Sequence, residues 1–567
     1  MFIPTTKEEI KKLGWKELDV ILISGDTYID SSYNGAAIIG KLLMKYGYKV
    51  GIIAQPDLKS DKDITRLGEP KLFWGVTSGC VDSMVANFTA TKKRRRSDDF
   101  TPGGLNTKRP DRAVIVYSNL IRHHFKKTKP IVLGGVEASL RRIAHYDYWD
   151  DKIRKPILLD AKADFLVYGM GEKPVLELAE KLSKNETPLE IRGLCYISKE
   201  PKEKFLLLSS FEEVAADKKK LIEMFHTFYN NNDSLTARGL NQKCADRYVI
   251  QNPPAHQNTQ EELDTIYDLD YERDVHPFYI KDGKVKALET IRFSITTHRG
   301  CFGECNFCSI GVHQGENIVS RSEASILREA EILTGLPGFK GYIHDVGGPT
   351  ANMFGMHCKV KKHTGLCINK NCAFPQTCNE LNVSHEPQIK LLKKIRKLDG
   401  VKKVFVASGL RYDLIIDDKK FGNEYIQELA AHHVSGQIKV APEHTDKNVL
   451  KLMRKPDTKY LEEFKKRFDK TNKQIGKKQF LTYYLIAAHP GCSENDMKKL
   501  KKYATEELHT NPEQVQIFTP LPSTYSALMY YTEIDPFTGN RLFVEKEIGK
   551  KERQKRAVVN EKGEGRK

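Results

Sequence analysis

The chain has 567 residues, enough for two or three domains, with 40% apolar and 29% charged residues and a mean hydropathy of −0.51. No apolar run approaches the roughly 18 residues of a membrane span, and the opening MFIPTTKEEIKKLGW lacks the apolar centre of a secretory leader, so a cytoplasmic protein with no membrane partner is expected. In that compartment 11 cysteines argue for metal or redox work over disulfides, and a net charge of +18 suits an anionic partner such as nucleic acid, or else lysine on solvated faces.

Residues 19–54 begin an alternating pattern. Asp19–Ile23 reads as a strand. Ala36, Ile39, Leu42, Leu43 and Tyr46 then recur at helical spacing, Gly47 ends the helix, and Val50–Ile53 is a second strand. Further strands are expected at Ala113–Tyr117, Ile131–Leu133 and Asp164–Tyr168, the last followed by a helix over 172–183. Such alternation predicts an α/β, doubly wound, parallel Rossmann-like domain over residues 1–195. Within it, Lys92, Lys93, Arg94, Arg95 and Arg96 form a basic run that fits a phosphate backbone; the alternative is a solvated loop partly neutralised by Asp98 and Asp99.

Residues 196–285 are less regular and read as a connecting segment. The rhythm returns over 286–535, with strands expected at Phe293–Thr297, Tyr342–Val346, Val404–Ala407, Gln437–Val440, Phe480–Ile486 and Gln514–Phe518. Ser320 with Glu323 reads as a capping box opening one helix, and Ser493 with Asp496 starts another. Six βα units predict a partial TIM-type (β/α)6 barrel whose functional face lies at the strand C-termini. Residues 536–567 are basic and read as a mobile tail.

CFGECNFCSI places Cys301, Cys305 and Cys308 directly after the first barrel strand. A closed structural metal site takes four ligands; three thiolates on a four-iron cluster leave one iron open for chemistry. The competing arrangement is a zinc knuckle completed by His298 or His313. A second set, Cys358, Cys367, Cys372 and Cys378, lies in a Cys-rich insertion over 357–380. Mean cysteine density would place about 0.4 in that 21-residue window, so an auxiliary Fe–S cluster or zinc is expected there.

C-x3-C-x2-C at the end of a first barrel strand resembles the signature of radical SAM enzymes. The phrases VILISGDTYID, VLGGVEASLRR, GGPTANM, ASGLRYDL and KVAPEHT resemble the YgiQ family of that superfamily from about residue 15 to 540. The resemblance implies a 4Fe–4S cluster on Cys301, Cys305 and Cys308. It implies S-adenosylmethionine (SAM) chelated at the open iron and cleaved to a 5′-deoxyadenosyl radical, with a reducing donor such as flavodoxin or ferredoxin. It also implies SAM contacts at Phe307, Gly347, Gly348, Ser408, Arg411, Glu443 and Arg454, with Pro349 standing where the glycine motif often carries Glu. The substrate is expected to be anionic, an RNA among the candidates. The N-terminal domain resembles the cobalamin-binding type, yet the sequence lacks the D-x-H-x-x-G that places a histidine on cobalt. The opposing reading is a non-catalytic Fe–S or zinc protein that binds nucleic acid or carries electrons; it leaves Gly347, Gly348, Arg411 and Glu443 at strand ends unexplained.

Overall fold

The computed structural model describes residues 1–559. They form two compact units, Met1–Asn258 with Asp264–Arg292, and Thr259–Leu263 with the chain from Phe293 on.

In the first unit, strands Val20–Ser24, Val50–Ala54, Phe73–Thr77, Ile131–Gly134 and Phe165–Val167 run parallel. The second strand in sequence lies at the edge, the first beside it, and the third, fourth and fifth follow. That order reverses between the first and third strands, which creates a crevice at their C-terminal ends. VILIS and VGIIA are buried at every position, as a sheet covered on both faces requires.

Two expectations are corrected here. Residues 196–285 are not a linker. Leu194–Ser198, Arg247–Gln251, Leu240–Cys244 and Leu206–Leu208 extend the sheet to nine strands. Leu194–Ser198 is antiparallel to Phe165–Val167 and to Arg247–Gln251, which makes the sheet mixed beyond its parallel core. Leu240–Cys244 and Arg247–Gln251 form a local hairpin, but Leu206–Leu208 and the join to Leu194–Ser198 depend on partners more than 30 residues away. Ala113–Tyr117 is also not a strand but the start of a helix, Ala113–His124. Val114, Ile115 and Val116 favour strands by propensity, yet Ala113, Val114, Tyr117 and Ile121 turn toward the core at helical spacing. The first amides of this helix donate to Ser83 Oγ at 3.0 Å and to the buried Glu137 Oε1 at 3.3 Å, caps that no local sequence signal announces.

The second unit has the six expected βα steps. Ser294–Thr296 pairs with Asp345–Gly347, and Tyr342–Ile343 with Lys403–Val404. Leu410 bridges Val440, and Gln437–Glu443 pairs with Phe480–Ala487, which pairs with Gln516–Ile517. Each of these five pairings is parallel and joins successive βα steps, as in a partial barrel. Helices Glu323–Thr334, Glu386–Ile395 and Thr458–Gln474 turn Ile326, Leu392 and Phe464 into one apolar core. Ser493 and Asp496 form the expected capping box, but the earlier helix is capped by Ser322 and not Ser320. Ser320 is held in a two-residue strand against His298.

Residues 536–559 are not a mobile tail. Helix Ile548–Arg556 buries Lys551 and Gln554, and Val558 enters an apolar cluster with Met453 and Leu485. Its charged composition misleads because Lys551 donates to Tyr530 OH at 2.7 Å and Gln554 to Cys492 O at 3.1 Å. Residues 560–567 lie outside the described residues. Among the described residues no helix is long and apolar enough to cross a membrane.

Candidate metal centre and its surroundings

The loop carrying Cys301, Cys305 and Cys308 leaves the first barrel strand through Gly300, whose φ is +83° and where a Cβ would stand 1.9 Å from Asn317 O. Only glycine fits both constraints. The loop is then pinned from below: Asn306 donates through its amide to Met453 O at 3.1 Å and through Nδ2 to Leu452 O at 2.8 Å. Gly303 N–H donates to Cys301 Sγ at 3.4 Å, and Cys301 Sγ lies 3.3 Å from Thr350 Oγ1. A Cβ on Gly303 would sit 3.2 Å from Cys301 Sγ, 3.8 Å from Cys305 Sγ and 2.9 Å from Arg411 Nη1. Two thiols and one guanidinium thus converge on a stretch of bare backbone. Burial pushes the Cys301 and Cys308 thiols up, Cys308 to about 12. A bound cation offsets that penalty by pairing with thiolate, so the donor set suits a thiophilic metal or cluster.

Among the described residues no three His, Cys, Asp or Glu side chains are arranged about a common metal position. His298, considered as a fourth zinc ligand, is fully buried, and burial lowers it to about 4, so it is neutral. Its Nδ1 lies 2.8 Å from Thr297 Oγ1. Its ring lies against Gly348, where a Cβ would meet it at 2.5 Å. This contact gives Gly348 a packing reason to be glycine. Gly347 ends its strand, with Ala351 Cα 3.2 Å from where its Cβ would stand.

The other strand-end residues divide into two groups. Arg411 joins the thiols. A forked pair of bonds to Asp413, at 2.8 and 2.6 Å, fixes its guanidinium, and Nη1 reaches Cys305 Sγ at 3.9 Å. Asn352 Oδ1 accepts from its backbone N–H at 2.8 Å. Ser408, Glu443 and Arg454 are held elsewhere. Ser408 Oγ donates to Asp345, which also accepts from Ala407 N at 2.8 Å. Glu443 is buried with a φ of +66°; burial raises its carboxyl and Lys455, at 3.8 Å, opposes the rise. Arg454 stacks over Phe537 and Tyr525 at 4.5 and 5.3 Å. Phe307 packs in the apolar cluster with Met453, Leu485 and Val558, 6.4 Å from the His489 ring. Sequence reasoning missed Thr350, Asn352, Asp413 and Lys455. Asp413 lies two residues from Arg411, and that spacing is the one local signal among them.

The Cys-rich insertion sits directly on the cysteine loop. Lys361, almost fully buried, bridges Glu304 at 2.7 Å and Glu316 at 3.1 Å, both carried by the segment around Cys305. Its charge is held firmly, whereas burial beside Glu304 raises the Glu316 carboxyl to about 7. Cys372 is buried in a small apolar cluster with Phe302, Met353 and Leu414, and Cys301 and Cys358 lie at its edge. Cys358 Sγ accepts from Lys361 N at 3.4 Å, and Cys378 N donates to Cys372 O at 2.9 Å. Cys367 is half-buried.

Residues 2–294 match the family model described as radical SAM N-terminal, and residues 295–504 match that of the radical SAM superfamily. The chain is 60% identical to a UPF0313 protein of Fusobacterium nucleatum over 100% of both chains. It is 49% identical to one of Thermotoga maritima over 99% of each. The chain belongs to the UPF0313 family. This is the YgiQ family expected from its motifs, and the UPF0313 chain is a radical SAM enzyme, for which SAM and a reductant are the partners. In fold it is similar to the radical SAM methyltransferase TsrM of Kitasatospora setae, solved with cobalamin and a [4Fe-4S] cluster. The TM-score is 0.53 at 15% identity, covering 90% of this chain and 77% of that one. It is also similar to the cobalamin-dependent SAM radical enzyme OxsB, with a TM-score of 0.50 at 13% identity, covering 93% and 57%.

In the UPF0313 chain the crevice at the reversal of the N-terminal sheet is filled by the protein's own charges. Arg109, fully buried, pairs with Asp26 at 2.7 Å and Asp98 at 3.0 Å and donates to Ser78 O at 2.6 Å. Cys80 N donates to Asp26 Oδ2 at 2.6 Å. A Cβ on Gly25 would lie 2.2 Å from Ser78 O, so the two strand ends are nearly in contact. Asp30, in the loop after the first strand, pairs with Lys41 at 2.9 Å.

Proposed function

We propose that this UPF0313 chain holds its 4Fe–4S cluster on Cys301, Cys305 and Cys308 and acts on an anionic substrate, an RNA among the candidates, in the cytoplasm with flavodoxin or ferredoxin as reductant. The observation that carries the ligand assignment is the convergence of two of these thiols and Arg411 on the Gly303 backbone, on the loop that leaves the first strand of a radical SAM barrel. When bound, such a cluster supplies the electron that splits the SAM sulfonium to methionine and a 5′-deoxyadenosyl radical. The protein's part is placement and charge. Gly303 N–H donates toward the Cys301 sulfur, and Arg411, fixed by Asp413, sets a positive charge beside Cys305. Gly347 and Gly348 offer backbone free of side chains. Ser408, Glu443 and Arg454 are assigned to the polar groups of SAM and Phe307 to the adenine side, by family resemblance. The buried Lys455 keeps a counter-charge near Glu443.

Anaerobically reconstituted protein given SAM and dithionite is expected to form 5′-deoxyadenosine; no 5′-deoxyadenosine from iron-loaded protein overturns the reading. Adding fractionated cell extracts and following SAM consumption by mass spectrometry then identifies the substrate.

A second proposal concerns Cys358, Cys367, Cys372 and Cys378, assigned to an auxiliary Fe–S cluster or zinc. It is supported by their density and by the seating of the insertion on the cysteine loop. Changing all four to Ala is expected to remove about four irons or one zinc. Unchanged iron, sulfide and zinc in a folded variant rules the site out.

A further inference from the structure

The barrel strands turn one face to their helices and the other inward. Ile343, Val404, Val406, Ile438 and Val440 lie in the apolar core with Ile326, Leu392 and Phe464. Tyr342 is level with Lys403, Gln437 with Phe480 and Lys439 with Thr482. Alternation along the strands then puts Tyr342, Lys403, Phe405, Lys439, Phe480 and Tyr484 on the inward face. A closed barrel fills such positions with layers of packed side chains. Here Tyr342 is 41%, Phe480 67% and Tyr484 40% exposed, and both lysines stand in solvent. The inward face is an open aromatic surface and not a packed core.

This surface leads to the cysteine loop. Tyr342 and Phe405 stack with ring centroids 6.4 Å apart and planes 8° from parallel. Lys439 Nζ lies 6.0 Å over the Tyr484 ring. Tyr484 reaches the strand ends, where a Cβ on Gly409 would lie 4.0 Å from it. Gly409 stands two residues before Arg411, whose guanidinium meets Cys305 Sγ. The charge of the surface is positive and unanswered. Among the described residues neither Lys403 nor Lys439 forms an ion pair. Asp345, level with Ser294 on the same face, is taken up by Ser408 Oγ and by Ala407 N at 2.8 Å.

We propose that this inward face binds the substrate, and that the substrate presents a planar aromatic group bearing a phosphate or carboxylate, its ring against Tyr484 and its anion on Lys439. The inference rests on the reading of the chain as an enzyme acting on an anionic substrate and names the class of that substrate. Exposed rings offer faces on which a planar group stacks, and an ammonium without a counter-ion gives up no ion pair when an anion arrives. An uncharged apolar ligand would leave the lysines unanswered. A second copy of this chain would cover the rings only by burying ammonium groups that hold no partner.

The test is anaerobic isothermal titration calorimetry on the iron-loaded, full-length protein at saturating SAM, so that an adenine position is already filled. The probes are uridine 5′-monophosphate and indole-3-acetate, each beside its uncharged counterpart, uridine and indole-3-ethanol. At least one anion is expected to bind about fivefold more tightly than its counterpart, and which one does so tells phosphate from carboxylate. Lys439→Gln is expected to remove that advantage and to leave the counterpart within about twofold. Lys470→Gln, which takes an exposed charge from helix Thr458–Gln474, is expected to leave both within about twofold. Tyr484→Leu is expected to weaken anion and counterpart alike, which separates stacking from charge. Because Lys439 is exposed, its replacement decides the matter even where Tyr484→Leu does not fold. Failure of both anions to bind, equal losses at Lys439 and Lys470, or a dimer that Phe480→Ser converts to a monomer while neither anion binds, overturns the proposal. Wild-type protein that forms 5′-deoxyadenosine yet binds neither anion refutes this inference and leaves the enzyme reading standing.

Discussion

The ends of two parallel-strand systems in this chain use the same backbone device for opposite purposes. Where the first and third strands of the N-terminal sheet end, Gly25 and Gly79 let the chain close on Asp26, and Arg109 with Asp98 fills the crevice. Where the first barrel strand ends, Gly300 and Gly303 let the chain open, and sulfur atoms and one guanidinium surround the bare backbone. Glycine supplies close approach in both places. The side chains decide the outcome: at one end two carboxylates share one guanidinium, while at the other the thiols meet one arginine already committed to Asp413. Ligand sites in α/β folds lie at such strand ends. Being at a strand end is therefore not sufficient, and the charge inventory tells a plugged end from a binding one.

The comparison breaks most visibly at the cysteines. Cys305→Ala is expected to lose the cluster and to lower 5′-deoxyadenosine formation to background, read by iron and sulfide analysis and chromatography; undiminished cleavage would falsify the ligand assignment. At the plugged end the expected effect is on stability. Arg109→Met strands two buried carboxylates and should cost about 3–5 kcal/mol, seen as a lower melting temperature. Adding Asp26→Asn and Asp98→Asn should recover much of that loss, and a single variant that melts with wild type would show that the triad is not structural. If the same crevice took up a corrinoid from cobalamin-fed cells, an EPR signal with imidazole nitrogen on cobalt would contradict the reading that no histidine here serves as its ligand.

A subtler test concerns Glu316, which joins the insertion to the cysteine loop through Lys361. Its carboxyl is raised from 4.5 to about 7 by burial beside Glu304, so the folded chain holds this proton more tightly than the unfolded one. The protonated form stabilises the fold below about pH 4.5, and that contribution declines as pH rises through about 7. Glu316→Gln should flatten the fall in melting temperature across this window, and an unaltered slope would assign the dependence elsewhere. The smallest effect is expected at Ser408→Ala. Asp345 keeps its bond from Ala407 N, so stability should fall by only about 1 kcal/mol with iron content unchanged.

The sequence alone determined the chemistry class and much of the architecture, because both are written in short-range patterns. C-x3-C-x2-C is local, and all six barrel steps were legible from apolar runs that a buried parallel strand must have. Tertiary structure decided what depends on distant partners. Helix Ala113–His124 reads locally as a strand until Ser83 and Glu137 cap it. The segment after residue 196 reads as a linker until Arg247–Gln251 pairs with Leu194–Ser198. Helix Ile548–Arg556 reads as a solvated tail until Lys551 and Gln554 find Tyr530 and Cys492. Asp98 sits two residues from the basic run and reads in sequence as its counter-charge, but its charge goes to Arg109, eleven residues away and fully buried. Periodicity reports which face of an element is apolar; it carries no information about which remote polar group will satisfy an amide or a charge, and that pairing is set only when the chain is folded.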